Sequence, residues 1–173
     1  MEDFLEILKY VLPSAVTGAV AFLMVKKMLE QENRRHFAEV KKENLKYTTP
    51  VRLQAHERVL LLLERIDPVK VINRVIKAEM TAKNLQFVLI SSIKEEFEHN
   101  ITQQLYVSRN CWLEVVKAKE DALKLIAVVG GSVDPSSSAL EYSQALIKIQ
   151  AEKQFYTSLS AIETVKQEIN KIF

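Results

Sequence analysis

Glu96 and His99 stand three residues apart in "EFEHN". On a helix that spacing puts a carboxylate and an imidazole on one face, as a metal ligand pair requires. A di-iron bundle needs two such motifs and two further helical glutamates. The other histidines do not supply the second: His36 follows Asn33 at that spacing, and His56 follows Leu53. No metal site and no cofactor is expected. Cys111, the one cysteine, lies between Asn110 and Trp112 in an apolar-periodic stretch and reads as a small buried residue rather than a nucleophile. It also excludes an intramolecular disulfide. Gly130-Gly131-Ser132 lacks the lysine of a phosphate loop and reads as a helix stop.

The densest stretch is "VRLQAHERVLLLLERI". Arg52, His56 and Arg58 alternate there with Leu53, Val59, Leu60, Leu63 and Ile66. Arg58 and Arg65 share one face, and Glu57 and Glu64 another, which suits ion pairing along and between helices. The functional alternative is contact with an anion or a partner.

The elements that must position these groups are helices. Three glycines and four prolines in 173 residues leave few turns. Cap-plus-proline pairs predict helix starts at Thr49-Pro50, Asp67-Pro68 and Asp134-Pro135. Further helices are expected from about Thr81 to Glu98 and from Asn100 or Thr102 to Val129, and a last one from Pro135 almost to Phe173. "LQFVLISSI" is strand-like in composition but has charged, unbroken flanks, and reads as buried helix. Phe155, Ile162 and Ile169 are seven apart, as are Val165 and Ile172, a partial heptad suited to a neighbouring helix. Gln154 and Ser158 dilute it.

Upstream lies a different kind of segment. Tyr10 to Val25 carries no charge, and back to Phe4 only Glu6 and Lys9 intervene. This approaches the ~20 apolar residues a bilayer requires. The acidic start, Glu2 and Asp3, argues against a secretion signal, although Ala19-Val20-Ala21 resembles a cleavage triplet. A buried soluble helix is the other alternative. Lys26, Lys27, Arg34, Arg35, Lys41, Lys42 and Lys46 follow, against Glu30, Glu32, Glu39 and Glu43. Positive charge remains on the cytoplasmic side, so the N-terminus is expected outside and the remainder in the cytoplasm. Ser14 and Gly18 form a small-xxx-small spacing that permits close helix contact. The basic flank also admits attraction to anionic lipid. Its aromatics, Phe37 and Tyr47, are not interleaved as base-stacking platforms, and the net charge is only +2, so nucleic acid is not expected.

The series "RLQAHERVLLLLERI", "EFEHNITQQLYVS" and "CWLEVVKAKED" resembles an uncharacterised family of short membrane-anchored proteins from Bacteroidota. The resemblance implies a single span in a bacterial inner membrane and an all-helical remainder, and supplies no catalytic residues. It points to polar or aromatic positions beside apolar ones: Arg52, Gln54, Glu57, Arg58, Glu96, Glu98, His99, Asn100, Gln103, Gln104, Tyr106 and Trp112.

The expected architecture is therefore all-α: a transmembrane anchor at 1–28, a basic juxtamembrane stalk at 29–48, and a cytoplasmic antiparallel helical bundle at 49–173. The expected function is a non-enzymatic membrane-anchored scaffold or accessory subunit. It would meet lipid through Tyr10–Val25 and a protein partner or a second copy through the span or the last helix, with no small-molecule substrate. Its polar network would comprise Arg52, Glu57, Arg58, Glu96, His99, Gln103, Tyr106 and Trp112. The alternative is an enzyme or ligand sensor with a polar pocket around Arg52, Glu57, Glu96 and His99.

Overall fold

Pro13, Gly18 and Pro50 are the helix breakers before Asp67, and none of them stops the helix. In the computed structural model, which describes residues 2–152 and 158–171, helix α1 runs Glu2–Arg65. Pro50 thus lies inside a helix, where a start was expected. Its missing N–H removes one backbone bond, to the Lys46 carbonyl, while good helix formers on both sides supply the rest. By contrast Asp67-Pro68 opens a helix as expected. The Asp67 carboxylate accepts from the backbone N–H groups of Val69 and Lys70, and α2 spans Pro68–Val75.

Thr81 caps α3, Ala82–Asn100, by accepting from the Asn84 N–H at 3.3 Å. The strand-like "LQFVLISSI" is helical within it. The expected helix from Asn100 or Thr102 begins later: a 3₁₀ turn occupies Ile101–Leu105, and Ser108 caps α4, Arg109–Gly130. Gly130-Gly131 closes α4 as expected, with the Gly131 N–H donating to the Ala127 carbonyl. Gly130 also allows a close approach, because a Cβ there would fall 2.2 Å from Nε2 of Gln86.

Asp134-Pro135 does not start a helix. Asp134 accepts from the N–H and the hydroxyl of Ser136 in a local turn, and three consecutive serines compete for backbone bonds. Helix α5 spans Ala139–Glu152. The serine run pairs with the start of α3 instead: the Ala82 N–H donates to the Ser137 carbonyl and the Ala139 N–H to that of Met80. The last helix is likewise shorter than expected, because α6 spans only Leu159–Ile169. A single helix from 135 to 173 would be about 58 Å long, against about 33 Å for α4. The Gln154 and Phe155 positions of the expected heptad lie outside the described residues. Ile162 and Val165 are buried and Ile169 packs against the core.

The chain divides into two compact units, Met1–Thr48 and Thr49–Phe173. In the second, Val59, Leu62, Leu63 and Ile66 of α1 join one core with Leu85, Leu89 and Ile93 of α3. α4 contributes Cys111, Val115, Ala118, Ala122, Leu125, Ile126 and Val129, at steps of three, four and one that trace one helical face. The buried Tyr142 hydroxyl donates to the Ile126 carbonyl at 2.7 Å, and burial pushes its phenol well above the ordinary range. In the first unit, no helix among the described residues is long and apolar enough to cross a membrane. The structure therefore does not support the span expected at 1–28. Side chains are described there only for Pro13 and from Ala15 onward, and Ala15–Val25 by itself is shorter than a hydrocarbon core.

Candidate functional site

The second unit gathers polar side chains in two places. The first centres on Glu168, near the end of α6. One of its carboxylate oxygens accepts from the Ser108 backbone N–H at 2.8 Å and lies 3.0 Å from Nε2 of His56. The other accepts from the Ser108 hydroxyl. The Arg52 guanidinium is 3.9 Å away, and its Nε donates to the Tyr106 carbonyl. The opposite nitrogen of the fully buried His56, Nδ1, lies 2.6 Å from the Arg52 carbonyl. Both ring nitrogens thus face oxygen atoms. Burial raises the Glu168 carboxyl, but the two bonds from Ser108 and the His56 contact outweigh it and hold the group below its ordinary range.

Each participant is placed by local sequence. His56 sits one position from Ala55 and three from Val59 on the buried side of α1. Ser108 caps α4, and its oxygen also accepts from the Cys111 N–H at 3.2 Å. Glu168 therefore meets the positive end of α4. The Cys111 thiol is buried beneath this cluster. Burial first, then the charge of Glu168 and a hydrogen bond to it, push that thiol up to about 12. It is a thiol at neutral pH and no nucleophile. The cluster superficially resembles a Ser-His-acid triad, but Ser108 bonds to the carboxylate rather than to the imidazole, so the triad's imidazole base is not set against the hydroxyl. The chemistry this geometry performs is joining: it ties α6 to α1 and to the start of α4.

The second place is a shallow open cleft of about 330 Å³ lined by Arg58, Leu61, Arg65, Glu96, His99 and Asn100. Arg65 reaches both Glu96 oxygens, at 3.3 and 3.4 Å. The Asn100 amide donates to the Glu96 carbonyl at 2.9 Å. With its carboxylate so engaged, the Glu96/His99 pair is not posed as ligands, and no group of three metal-ligating side chains is found among the described residues.

Of the eight residues expected to form one network, Arg58, Glu96 and His99 meet in the cleft. Arg52 and Tyr106 belong to the Glu168 cluster, Tyr106 only through its carbonyl. Glu57 is exposed, which removes it from the pocket expected with Arg52, Glu96 and His99. Gln103 is buried and bonds to Thr102. Trp112 stacks at a tilt on Phe97, with ring centroids 5.5 Å apart, and the Lys119 ammonium lies over the Phe97 ring. The expected single network is thus several separate contacts. Sequence reading missed Ser108 and Glu168. The available signal was Glu168 beside the apolar Val165 and Ile169, an ionisable group at the rim of a buried stripe.

No curated protein and no solved structure matches this chain. A family of unknown function, DUF7935, matches residues 2–172, and the chain belongs to that family.

Proposed function

We propose that this protein is a non-enzymatic, membrane-anchored interaction module. In this reading the apolar stretch from Phe4 to Val25 sits in a bacterial inner membrane with the N-terminus outside. The basic stalk and an antiparallel bundle lie in the cytoplasm, where the bundle serves as a scaffold or accessory subunit. The observation that carries it is the exposure of Phe22, Leu23, Met24 and Val25, at 69, 61, 69 and 57%. Four consecutive helical residues point about 100° apart, so this helix is apolar all round, which water disfavours and lipid does not. The lysine pair that follows is the flank expected on a cytoplasmic side.

The bundle supports the interaction half of the reading. Both oxygens of its central carboxylate, Glu168, are engaged by Ser108 and His56. Among the described residues, the buried side-chain atoms without a partner are the Ser137 hydroxyl and the Gln150 carbonyl, and neither residue lines the cleft. Sedimentation tests the anchor: after membranes are pelleted and washed with carbonate, the chain stays in the pellet until detergent is added. Recovery in the wash overturns the anchor. Protease added outside intact spheroplasts leaves the bundle uncut; its digestion reverses the orientation.

One observation favours the sensor reading. The cleft brings Arg58, Arg65 and His99 around one carboxylate, a setting for a small anion. A thermal-shift screen with inorganic phosphate and dicarboxylates decides it: a saturable rise in melting temperature, lost in Arg58→Ala, would favour the sensor over the scaffold.

A further inference from the structure

Arg58, Leu61 and Arg65 recur at steps of three and four on α1, and Glu96, His99 and Asn100 at steps of three and one on α3. Each trio lies on one helix face, and the two faces meet as the walls of the cleft of about 330 Å³. That is room for a small ligand. Glu96 already occupies part of it. Its two oxygens lie 3.3 and 3.4 Å from a single nitrogen, Nη1, of Arg65. This is not the side-by-side pairing that guanidinium and carboxylate favour, and it leaves the other guanidinium nitrogens of Arg65 without an acceptor among the described residues. Arg58, on the same wall, pairs with no carboxylate among the described residues. The neighbouring acids do not close the site. Glu64 is paired with Lys70, and Glu57, Glu95 and Glu98 are exposed and line no part of the cleft.

We infer that the cleft is a site for inorganic phosphate or a small phosphate monoester, and that Glu96 is its internal competitor, holding Arg65 until the dianion displaces it. The inference rests on the sensor reading of this cleft and adds the ligand class and the residue that regulates access. Charge decides the class. Glu96 is tethered beside Arg65, so an external monocarboxylate, with the same single charge, meets a rival already present at high effective concentration. A phosphate dianion brings more charge and at least three acceptor oxygens. These suffice to span Arg58 and Arg65 and to take an imidazole N–H from His99. The Glu96 side chain is 22% exposed and its pair with Arg65 is screened by water, so releasing it costs little. Glu96 now ties α3 to α1 through Arg65. The bound dianion holds the same two helices through Arg58, Arg65 and His99 instead.

Isothermal titration of the full-length chain in mild detergent tests it, with inorganic phosphate at about pH 8, where the dianion dominates, and ionic strength held constant with chloride. Glu96→Gln removes the competing charge without shortening the side chain. It binds phosphate at least about fivefold tighter than wild type, the fold-change that freeing an exposed, ion-paired arginine permits. Arg58→Ala abolishes binding in either background. Both variants keep wild-type helical circular dichroism, since neither position is fully buried. Equal affinity of wild type and Glu96→Gln, lost in Arg58→Ala, overturns the competitor while the anion site stands. No phosphate binding by either chain overturns the site and the sensor reading with it. Succinate bound as tightly as phosphate overturns the ligand class. Nuclear magnetic resonance gives a readout in the unaltered chain: the His99 imidazole signals shift saturably with phosphate and those of the exposed His36 do not. Equal shifts of both mean non-specific association and overturn the site.

Discussion

Glu168 and Glu96 are both helical glutamates facing an arginine, and the structure uses them differently. The Glu168 side chain is 13% exposed and takes two bonds from Ser108 and one contact from a buried imidazole. Glu96 faces an Arg65 that is 57% exposed, across a cleft open to water. Water screens the second pair and supplies substitute partners for each side chain; around the first it is largely replaced by protein groups in fixed positions. The same residue types therefore make a structural tie in one place and an adjustable surface in the other.

The largest effect expected from breaking this contrast is at Glu168. Glu168→Ala leaves His56 and the Ser108 N–H without their acceptor and lowers unfolding stability by about 3 kcal/mol, measured by urea denaturation. A loss under about 1 kcal/mol would mean that water replaces the carboxylate easily and that the two glutamates are alike. Next, His56→Ala lowers stability by about 2 kcal/mol. In a double-mutant cycle with Glu168→Ala the two changes are coupled by about 1 kcal/mol or more, where additivity would show that imidazole and carboxylate do not act together.

Acid sharpens the same comparison. The folded Glu168 carboxyl lies below its ordinary value of 4.5. Its contribution is therefore fully present above that value and lost as pH falls through the lower, folded value. Between wild type and Glu168→Gln, the stability gap is widest at neutral pH and narrows below about pH 4.5; a gap that stays constant to pH 3 would contradict the assignment. The smallest effect is at the open cleft. Arg65→Ala costs at most about 1 kcal/mol, and the cost shrinks further in high salt.

The bundle was readable where a local signal acts alone. Asp67-Pro68 caps α2, Gly130-Gly131 ends α4, and "LQFVLISSI" is helix despite its composition. Misreadings occur where a local signal met a stronger neighbour. Pro50 could not interrupt a long run of helix formers, and Asp134 spent its carboxylate on Ser136 rather than on a helix. The site was less legible than the fold. Arg58, Glu96 and His99 were picked out and do meet, but Glu168 lies 112 positions from His56. No spacing rule relates residues so far apart along the chain.

Composition and periodicity determined by themselves that this chain is helical almost throughout, that its apolar, basic and bundle-forming stretches succeed one another in that order, and that Cys111 sits on an apolar face. These are near-neighbour properties, set within a few helical turns. Only the tertiary structure decided which acid met the buried His56, that Ser108 would both cap α4 and hold that acid, and that Glu57 would stay in water. Such pairings depend on how helices distant in sequence are packed together, and that is settled by burial of the whole apolar surface rather than by any segment of it.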